Sequence, residues 1–325
     1  MQTLLSRLAH PLEITLVILC TYLFFSWTHG SGKPNPTYNS AFIDSAVACH
    51  GTSGCNGTAE TPGNHSYAFF SALWNAEYLQ PALVLGYSIR KYHPDIPLYL
   101  LVKPDSDLRK DMFCQLETVG WTIKEETRVD APIDQVKKQF RDNFTKLKLW
   151  SYTQFDAIVY LDADTLVRDR VDDLFTLVDK DSYPNDGFEF AAALDNYGQW
   201  SLDFNAGIMV LRPNHAVYQE MLRLLPQTDN YNVKWAEQGF LNEYFRFRFL
   251  HLPEQYNFNL AFVSRHRQTF RRLKPDLKII HFTISKPWRM LRIEFEASAI
   301  WTHASEEMKR SVSFRRCGNG LVKDH

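Results

Sequence analysis

The chain has 325 residues, a formal net charge of −1 and an aromatic content of 14%. This length suits one large domain or two ordinary domains with a substantial hydrophobic core. The near-zero charge disfavours bulk binding of nucleic acid, which requires a basic surface, so no nucleic-acid partner is expected. The basic cluster from Arg265 to Lys274 is local and is interpreted as a solvated loop or a phosphate-side patch.

The N-terminal residues are expected to lie outside the globular fold. Residues Ile14 to Trp27 are apolar and uncharged, although the stretch is somewhat shorter than the roughly 20 residues of a typical membrane-spanning helix. We favour an uncleaved signal anchor, which suits the thinner membranes of the early secretory pathway; a cleavable signal peptide and a buried helix are the alternatives. The expected segments are a cytoplasmic tail (1–11), a signal-anchor transmembrane helix (12–28) and a flexible lumenal stem (29–65).

Two further features are consistent with a lumenal body. N-glycosylation sequons begin at Asn56, Asn64 and Asn143. Cys49 and Cys55 could close a small disulfide loop in an oxidising compartment, and a metal site that uses these cysteines is the less favoured alternative.

The globular body is predicted to alternate strands with helices. In chain order the first half predicts a strand at Tyr67–Leu73, a helix at Pro81–Tyr92, a strand at Pro97–Val102, a helix at Ser106–Thr118, a strand near Trp121, a helix at Thr145–Phe155 and a strand at Ala157–Leu161. This order predicts an α/β fold with a mostly parallel sheet. The second half predicts strands at 190–194, 207–211, 249–252 and 278–281 and helices at 216–225 and 237–245. One domain is expected over 66–302, followed by a polar, basic tail (303–325).

The strand at Ala157–Leu161 ends at Asp162-Ala163-Asp164, the most informative residues of the chain. Two carboxylates at the exit of a buried strand cost free energy unless a partner neutralises them. Hard cations such as Mg²⁺ and Mn²⁺ bind carboxylate oxygen, and open α/β sheets bind ligands beyond the carboxyl ends of their strands. The pattern predicts a divalent metal site; an Asp-rich turn is the alternative interpretation.

A second strand end carries compatible chemistry. His281 ends the strand at 278–281, and Lys286-Pro287-Trp288 follows it. Imidazole is an acceptable third ligand for Mn²⁺, and an ammonium group binds phosphate oxygen. The sequence contains no glycine-rich phosphate loop, so a nucleotide would depend on the metal, on lysines and on loop backbone. Lys146, before the acidic pair, is the better candidate lysine there, although a solvated lysine is the ordinary alternative.

Amide side chains mark two other element starts. Asn205 opens a predicted strand, and Gln238 follows Glu237 at the start of a predicted helix. Amides both donate and accept hydrogen bonds, as recognition of sugar hydroxyls requires. A turn or a helix cap explains each of them equally well.

Six segments in this order resemble glycosyltransferase family 8, the retaining glycogenin-like and galactinol-synthase-like enzymes: PALVLGYSIR, TKLKLW, VYLDADTLV, FNAGIMVLRP, AEQGFLN and HFTISKPW. The resemblance extends from about Tyr67 to Trp288. It implies a GT-A fold, in which a Rossmann-like, mostly parallel central sheet is flanked by helices in a single catalytic domain. It also implies a Mn²⁺ (or Mg²⁺) ion and a UDP-sugar as donor substrate.

The resemblance also implies roles by position. The implied metal ligands are Asp162, Asp164 and His281. The other implied contacts are Asn75 and Tyr78 with the uridine, Ala163 with the nucleotide, Lys286 with the diphosphate, Lys146 with the donor sugar or phosphate, and Asp195, Asn205 and Gln238 with the transferred sugar. Glu237 stands where many members have Asp, and the segment between His281 and Lys286 lacks a glycine and is one residue shorter than in many members.

The expected reaction is a Mn-dependent transfer, with retention, of a hexose from a UDP-sugar to a hydroxyl of a glycan, glycolipid or glycoprotein. Glucose, galactose and N-acetylglucosamine are all possible donors. A metal-dependent hydrolase of sugar nucleotides or glycosides and an inactive lumenal sugar-binding module are the alternatives. Together with the N-terminal helix, this predicts a single-pass type II protein of the Golgi or another secretory-pathway membrane, with its catalytic domain in the lumen.

Overall fold

The computed structural model describes residues 65–179, 188–195, 202–263, 266–284, 286–289 and 295–318. The expected cytoplasmic tail, signal anchor and nearly all of the stem lie outside the described residues. Within these described ranges, no helix is both long enough and apolar enough to cross a membrane.

A seven-stranded sheet forms the centre of the fold, with a smaller three-stranded sheet beside it. The strands are β1 (Tyr67–Leu73), β2 (Leu98–Val102), β3 (Trp121–Glu125), β4 (Ala157–Leu161), β5 (Thr165–Val167), β6 (Phe190–Leu194), β7 (Phe204–Leu211), β8 (Leu250–Leu252), β9 (Phe258–Asn259) and β10 (Ile279–His281). The large sheet has the order β3-β2-β1-β4-β7-β6-β8. Its ladders are parallel except for those that β7 forms with β4 and β6. The predicted α/β fold with a mostly parallel sheet is therefore confirmed.

The small sheet has the order β5-β10-β9 and was not predicted as a unit. β10 is antiparallel to β5 and parallel to β9. His281, the last residue of β10, pairs with Thr165, the first residue of β5. Because β5 begins directly after Asp164, this register brings His281 next to the acidic pair.

Helices cover both faces of the large sheet. They are α1 (Leu79–Tyr92), α2 (Lys110–Thr118), α3 (Asp173–Thr176), α4 (His215–Leu224), α5 (Ala236–Tyr244), α6 (Leu260–Val263), α7 (Arg267–Leu273) and α8 (Phe295–Ser311), together with a 3-10 helix at Lys138–Ser151. This 3-10 helix replaces the α-helix predicted at Thr145–Phe155, beginning and ending earlier. The other predicted helices agree to within a few residues.

The alternation of β4 separates two hydrophobic cores. Val159 and Leu161 face the core formed with α1, α2 and α8. Ile158 and Tyr160 face the core formed with the 3-10 helix, α4 and α5. Because side chains alternate along a strand, Asp162 follows Tyr160 on the second face. The acidic pair is thus placed at the end of a fully buried central strand.

Residues 303–318 belong to the globular body, and residues 319–325 lie outside the described ranges. A polar tail was expected from residue 303, but α8 continues to Ser311, and Trp301 and Met308 are buried in the first core. A disulfide joins Cys114 of α2 to Cys317 beyond α8. The two cysteines of the predicted stem loop lie outside the described residues.

Replacing Cys317 by Ser should lower the free energy of unfolding by about 2–4 kcal/mol. The reason is that the bond joins residues 203 positions apart and restricts the unfolded chain. Urea denaturation followed by tryptophan fluorescence measures the difference. The double variant Cys114→Ser/Cys317→Ser is the control and should match the single variant, because both lack the same bond. Free thiols at both positions in non-reducing peptide mapping of the native protein would contradict this pairing.

Candidate functional site

Backbone hydrogen bonds hold both acids at the end of β4. The N–H of Asp162 donates to the carbonyl of Gly207 at 2.7 Å, which extends the β4–β7 ladder by one residue. The carbonyl of Asp164 accepts from the N–H of Phe282 at 2.9 Å. The acids are therefore fixed between the large sheet on one side and the end of β10 on the other.

The structure brings together the three residues that the sequence suggested as metal ligands. Oxygen atoms of Asp162 and Asp164 and a ring nitrogen of His281 all lie within 4.8 Å of one another. Nε2 of His281 is 4.0 Å from Oδ2 of Asp162 and 3.3 Å from Oδ1 of Asp164. Two carboxylates and an imidazole form a ligand set that suits a divalent cation such as Mn²⁺. These residues could therefore hold such an ion.

A lysine engages the remaining oxygen of each acid. Nζ of Lys146 is 2.8 Å from Oδ1 of Asp162, which also accepts from the hydroxyl of Tyr160 at 2.7 Å. Nζ of Lys286 donates to Oδ2 of Asp164. Burial opposes the charged form of Asp164, but the positive charges of Lys286 and His281 outweigh it and hold the pKa of this carboxyl below its ordinary value. Each acid thus presents a free oxygen to the imidazole.

Lys146 is enclosed by protein. Its side chain is 2% exposed, and Nζ also lies 2.8 Å from Oε1 of Glu237. Burial opposes its charge, yet the neighbouring Asp162 and Glu237 carboxylates outweigh burial and raise the pKa of Lys146. Lys146 therefore stays charged and orients Asp162. Ala163, between the two acids, is buried in the first core, so its backbone is the part that remains for contact with a nucleotide.

Aromatic and basic side chains gather beside Lys286. Its Nζ lies 5.7 Å from the ring centroid of Tyr78 and 5.6 Å from that of Trp288. The guanidinium of Arg289 lies 5.5 Å from the Tyr78 ring. The side chain of Asn75 caps the short 3-10 helix that leads to Tyr78, accepting from the N–H of Glu77 at 3.1 Å. Tyr78 and Lys286, implied nucleotide contacts from distant parts of the chain, are thus neighbours.

The residues suggested for sugar recognition form a hydrogen-bonded cluster. Nε2 of Gln238 donates to Oδ2 of Asp195 at 2.8 Å. Nδ2 of Asn205 lies 3.4 Å from Oε1 of Gln238. Oδ1 of Asp195 is buried and has no hydrogen-bond partner in the described part of the chain, and burial raises the pKa of this carboxyl. A sugar hydroxyl is a group that could donate to it.

Two contributors to the site were missed in the sequence. Tyr160 donates to Asp162, and Asn257 lies 3.2 Å from Nδ1 of His281. A signal existed for each: Tyr160 is a polar aromatic in an otherwise aliphatic strand, and Asn257 is an amide between Tyr256 and Phe258.

Gly207→Ala should displace the imidazole that packs against it. A Cβ atom at position 207 would lie 2.1 Å from Cε1 and 2.8 Å from Nδ1 of His281, which is closer than real contacts allow. We expect Mn²⁺ binding, measured by isothermal titration calorimetry, to weaken roughly 10-fold or more because a ligand is moved.

Gly86→Ala is the matched control. The added Cβ would clash at 2.4 Å with Nε1 of Trp121, in the core beside the edge strand β3. This variant should lose thermal stability but keep its Mn²⁺ affinity. Equal losses of affinity in the two variants would show that the Gly207 effect is a general loss of packing.

The chain is similar to known proteins in both sequence and structure. The model of glycosyl transferase family 8 matches residues 71–292. Glycogenin of Neurospora crassa is 32% identical over 249 residues, which cover 75% of this chain but only 34% of that protein. Galactinol synthase 2 of Solanum lycopersicum is 29% identical over 260 residues, which cover 71% of this chain and 74% of that protein. The chain thus spans about a third of the length of the Neurospora crassa glycogenin.

Solved structures agree at the level of the fold. The apo-form glycosyltransferase GlyE of Streptococcus pneumoniae has a TM-score of 0.56 at 19% identity, covering 78% of this chain and 62% of that chain. The galactosyltransferase LgtC in complex with donor and acceptor sugar analogs has a TM-score of 0.52 at 20% identity, covering 74% of this chain and 95% of that chain. These likenesses show a GT-A type fold. With the family model matched over most of the globular body, the chain belongs to glycosyltransferase family 8.

Proposed function

We propose that this protein is a retaining glycosyltransferase that moves a hexose from a UDP-sugar to a hydroxyl group of a glycan, glycolipid or glycoprotein. The observation that carries this proposal is the convergence of Asp162, Asp164 and His281 beside Lys286. Such a group of ligands next to a cation suits the diphosphate of a nucleotide-sugar. Family membership and the GT-A type fold support the same activity.

The three convergent residues would hold Mn²⁺. When bound, a divalent cation supplies Lewis-acid stabilisation of the leaving diphosphate and a template for its orientation. Lys286 is 12% exposed and could turn from Asp164 towards a phosphate oxygen, adding a positive charge where negative charge develops. Tyr78 and Trp288, which lie beside this ammonium and contact each other edge to face, would confine the nucleotide.

Asp195 and Gln238 would orient the transferred sugar. Oδ1 of Asp195 is available to accept from a sugar hydroxyl, and one N–H of the Gln238 amide remains for a ligand after its bond to Asp195. No carboxylate is an obvious covalent nucleophile, and the half-buried amide of Gln238 is a poor one. We therefore favour attack of the acceptor on the same face that the diphosphate leaves, through an oxocarbenium-like state. A phosphate oxygen of the leaving group would take the acceptor proton.

The acceptor and the location follow from less direct features. The Cys114–Cys317 disulfide is typical of an oxidising compartment and supports a lumenal domain in the secretory pathway, most simply the Golgi. The three sequons support the same location, although Asn143 is half-buried and accepts from Nε1 of Trp74. A carbohydrate-bearing acceptor in that lumen suits this location better than a cytosolic primer. Membrane attachment through residues 12–28 belongs to the same proposal.

A panel of UDP-sugars should identify one donor whose UDP is released in the presence of Mn²⁺ and a carbohydrate acceptor.

Asp164→Asn should lower kcat/KM by roughly 10²-fold or more, because it removes a charge that faces the diphosphate site. The matched control is Asp169→Asn. It makes the same change of charge at an exposed residue five positions after Asp164 in the chain. UDP release that is independent of every acceptor would indicate a hydrolase, and binding of sugar without turnover would indicate an inactive module.

The anomeric configuration of the product tests the mechanism. Transfer from an α-linked UDP-sugar should give an α-linked product, which proton NMR of the purified product detects directly. A β-linked product would exclude attack on the leaving-group face. It would also require a general base placed opposite the diphosphate, a position for which we identify no candidate among the described residues.

A further inference from the structure

A relay of hydrogen bonds runs from the imidazole of His281 to the carboxylate of Asp195. Nδ1 of His281 is 3.2 Å from Oδ1 of Asn257, and Nδ2 of Asn257 donates to Oδ1 of Asn205 at 3.1 Å. Nδ2 of Asn205 donates to Oε1 of Gln238 at 3.4 Å. Nε2 of Gln238 then donates to Asp195 at 2.8 Å. The metal site and the amide cluster are therefore one continuous network.

Backbone groups fix the direction of this relay. The N–H of Gly207 donates to the side chain of Asn205 at 3.0 Å, so the atom that accepts must be the amide oxygen. The N–H of Ala206 fixes the oxygen of Gln238 in the same way, also at 3.0 Å. Because the Asn205 oxygen accepts, Asn257 must turn its NH₂ group towards it. The oxygen of Asn257 then faces the imidazole.

An amide oxygen opposite Nδ1 requires a proton on Nδ1. Nε2 of His281 faces carboxylate oxygens, which can hold a second ring proton while no cation is bound. A cation at the site would replace that proton, so that Nδ1 carries the one N–H and Nε2 presents its lone pair. Nε2 is the atom that faces Asp162 and Asp164. A metal-binding nitrogen must present a lone pair, whereas the opposite tautomer would direct an N–H into the site.

We infer that Asn257 is a positioning residue that holds His281 in its metal-binding tautomer, and that Asn205 links this tautomer to the orientation of Gln238. The inference rests on the proposed function only for the roles of the groups at the two ends of the relay. One buried network then orients a metal ligand and a group that would face the sugar. The proton position is set by the backbone of β7, through the N–H of Gly207.

The tautomer can be measured in the protein loaded with diamagnetic Mg²⁺. Histidine labelled with ¹⁵N gives separate NMR signals for protonated and unprotonated ring nitrogens, and His281→Gln identifies the signals of this residue by their loss. We expect the proton on Nδ1 and an unprotonated Nε2. A proton on Nε2 would overturn the inference. This measurement needs no variant to fold apart from the one used for assignment.

Three variants test the relay itself. Asn257→Leu removes the acceptor and should give a mixture of tautomers with Mn²⁺ affinity reduced roughly 10–100-fold. Asn257→Asp keeps an acceptor opposite Nδ1 and should retain the tautomer and much of the affinity. Asn205→Leu should also disturb the tautomer, because Asn257 loses the acceptor that orients it. A native tautomer in Asn205→Leu would refute the link to Gln238.

Asn259→Leu is the matched control. Asn259 lies two positions further along, is as buried as Asn257 at 4% exposure, and accepts from the N–H of Ala261 at 2.8 Å and from the hydroxyl of Thr283. This variant should lose stability but keep the tautomer and the Mn²⁺ affinity. If Asn259→Leu changed the tautomer and the Mn²⁺ affinity as much as Asn257→Leu does, the effect of Asn257→Leu would be a general loss of packing, and the inference would be overturned.

The two proposals fail separately. The tautomer and the Mn²⁺ affinity are measured without substrate, so a protein that turns over no UDP-sugar counts against the proposed function alone. Conversely, a protonated Nε2 in an enzyme that transfers sugar counts against the relay alone.

Discussion

The short antiparallel ladder between β5 and β10 is the contact on which the site depends. β5 begins one residue after Asp164, and its first residue, Thr165, pairs with His281. The N–H of Phe282 also donates to the carbonyl of Asp164. Backbone pairing therefore sets the spacing between the acids and the imidazole, although they are far apart in the sequence. Ligands held on paired strands are positioned more accurately than ligands on free loops.

Charge balance gives the two lysines of the site different tasks. Three carboxylates (Asp162, Asp164 and Glu237) lie beside two ammonium groups, so the cluster carries one negative charge when the imidazole is neutral. A divalent cation would change this to one positive charge, which favours an anionic diphosphate. Lys146 is too buried to leave its carboxylates, whose charges would otherwise be uncompensated. The more exposed Lys286 is the lysine that can exchange partners.

Short apolar runs were sufficient to predict most strands of the large sheet, and this signal failed where elements are short or polar. β1, β4 and β6 have the predicted bounds. β5 has three residues and β9 has two, which is too short for a recognisable strand pattern. Their pairing with β10 could therefore not be predicted from the sequence. α8 is mainly polar, and its Trp301 and Met308 were overlooked. The pairing of Cys114 with Cys317 depends on tertiary structure, which cysteine spacing alone does not give.

At the site, Asp162, Asp164 and His281 could be predicted because each lies at or directly after the end of a predicted strand. The side chains that contact them depend on local geometry, which the sequence does not show. Lys146 is an example. An α-helix was predicted at its position, and the alternative to a role of Lys146 in the site was a solvated side chain. In the observed 3-10 helix, side chains three residues apart lie above one another. Lys146 therefore shares a face with Leu149, which is buried, just as Phe144 shares one with Leu147. Six of the seven residues from Phe144 to Trp150 are buried, so the helix is enclosed on nearly every side. An amphipathic pattern therefore could not show that Lys146 points into the protein, where the carboxylates of the site compensate its charge.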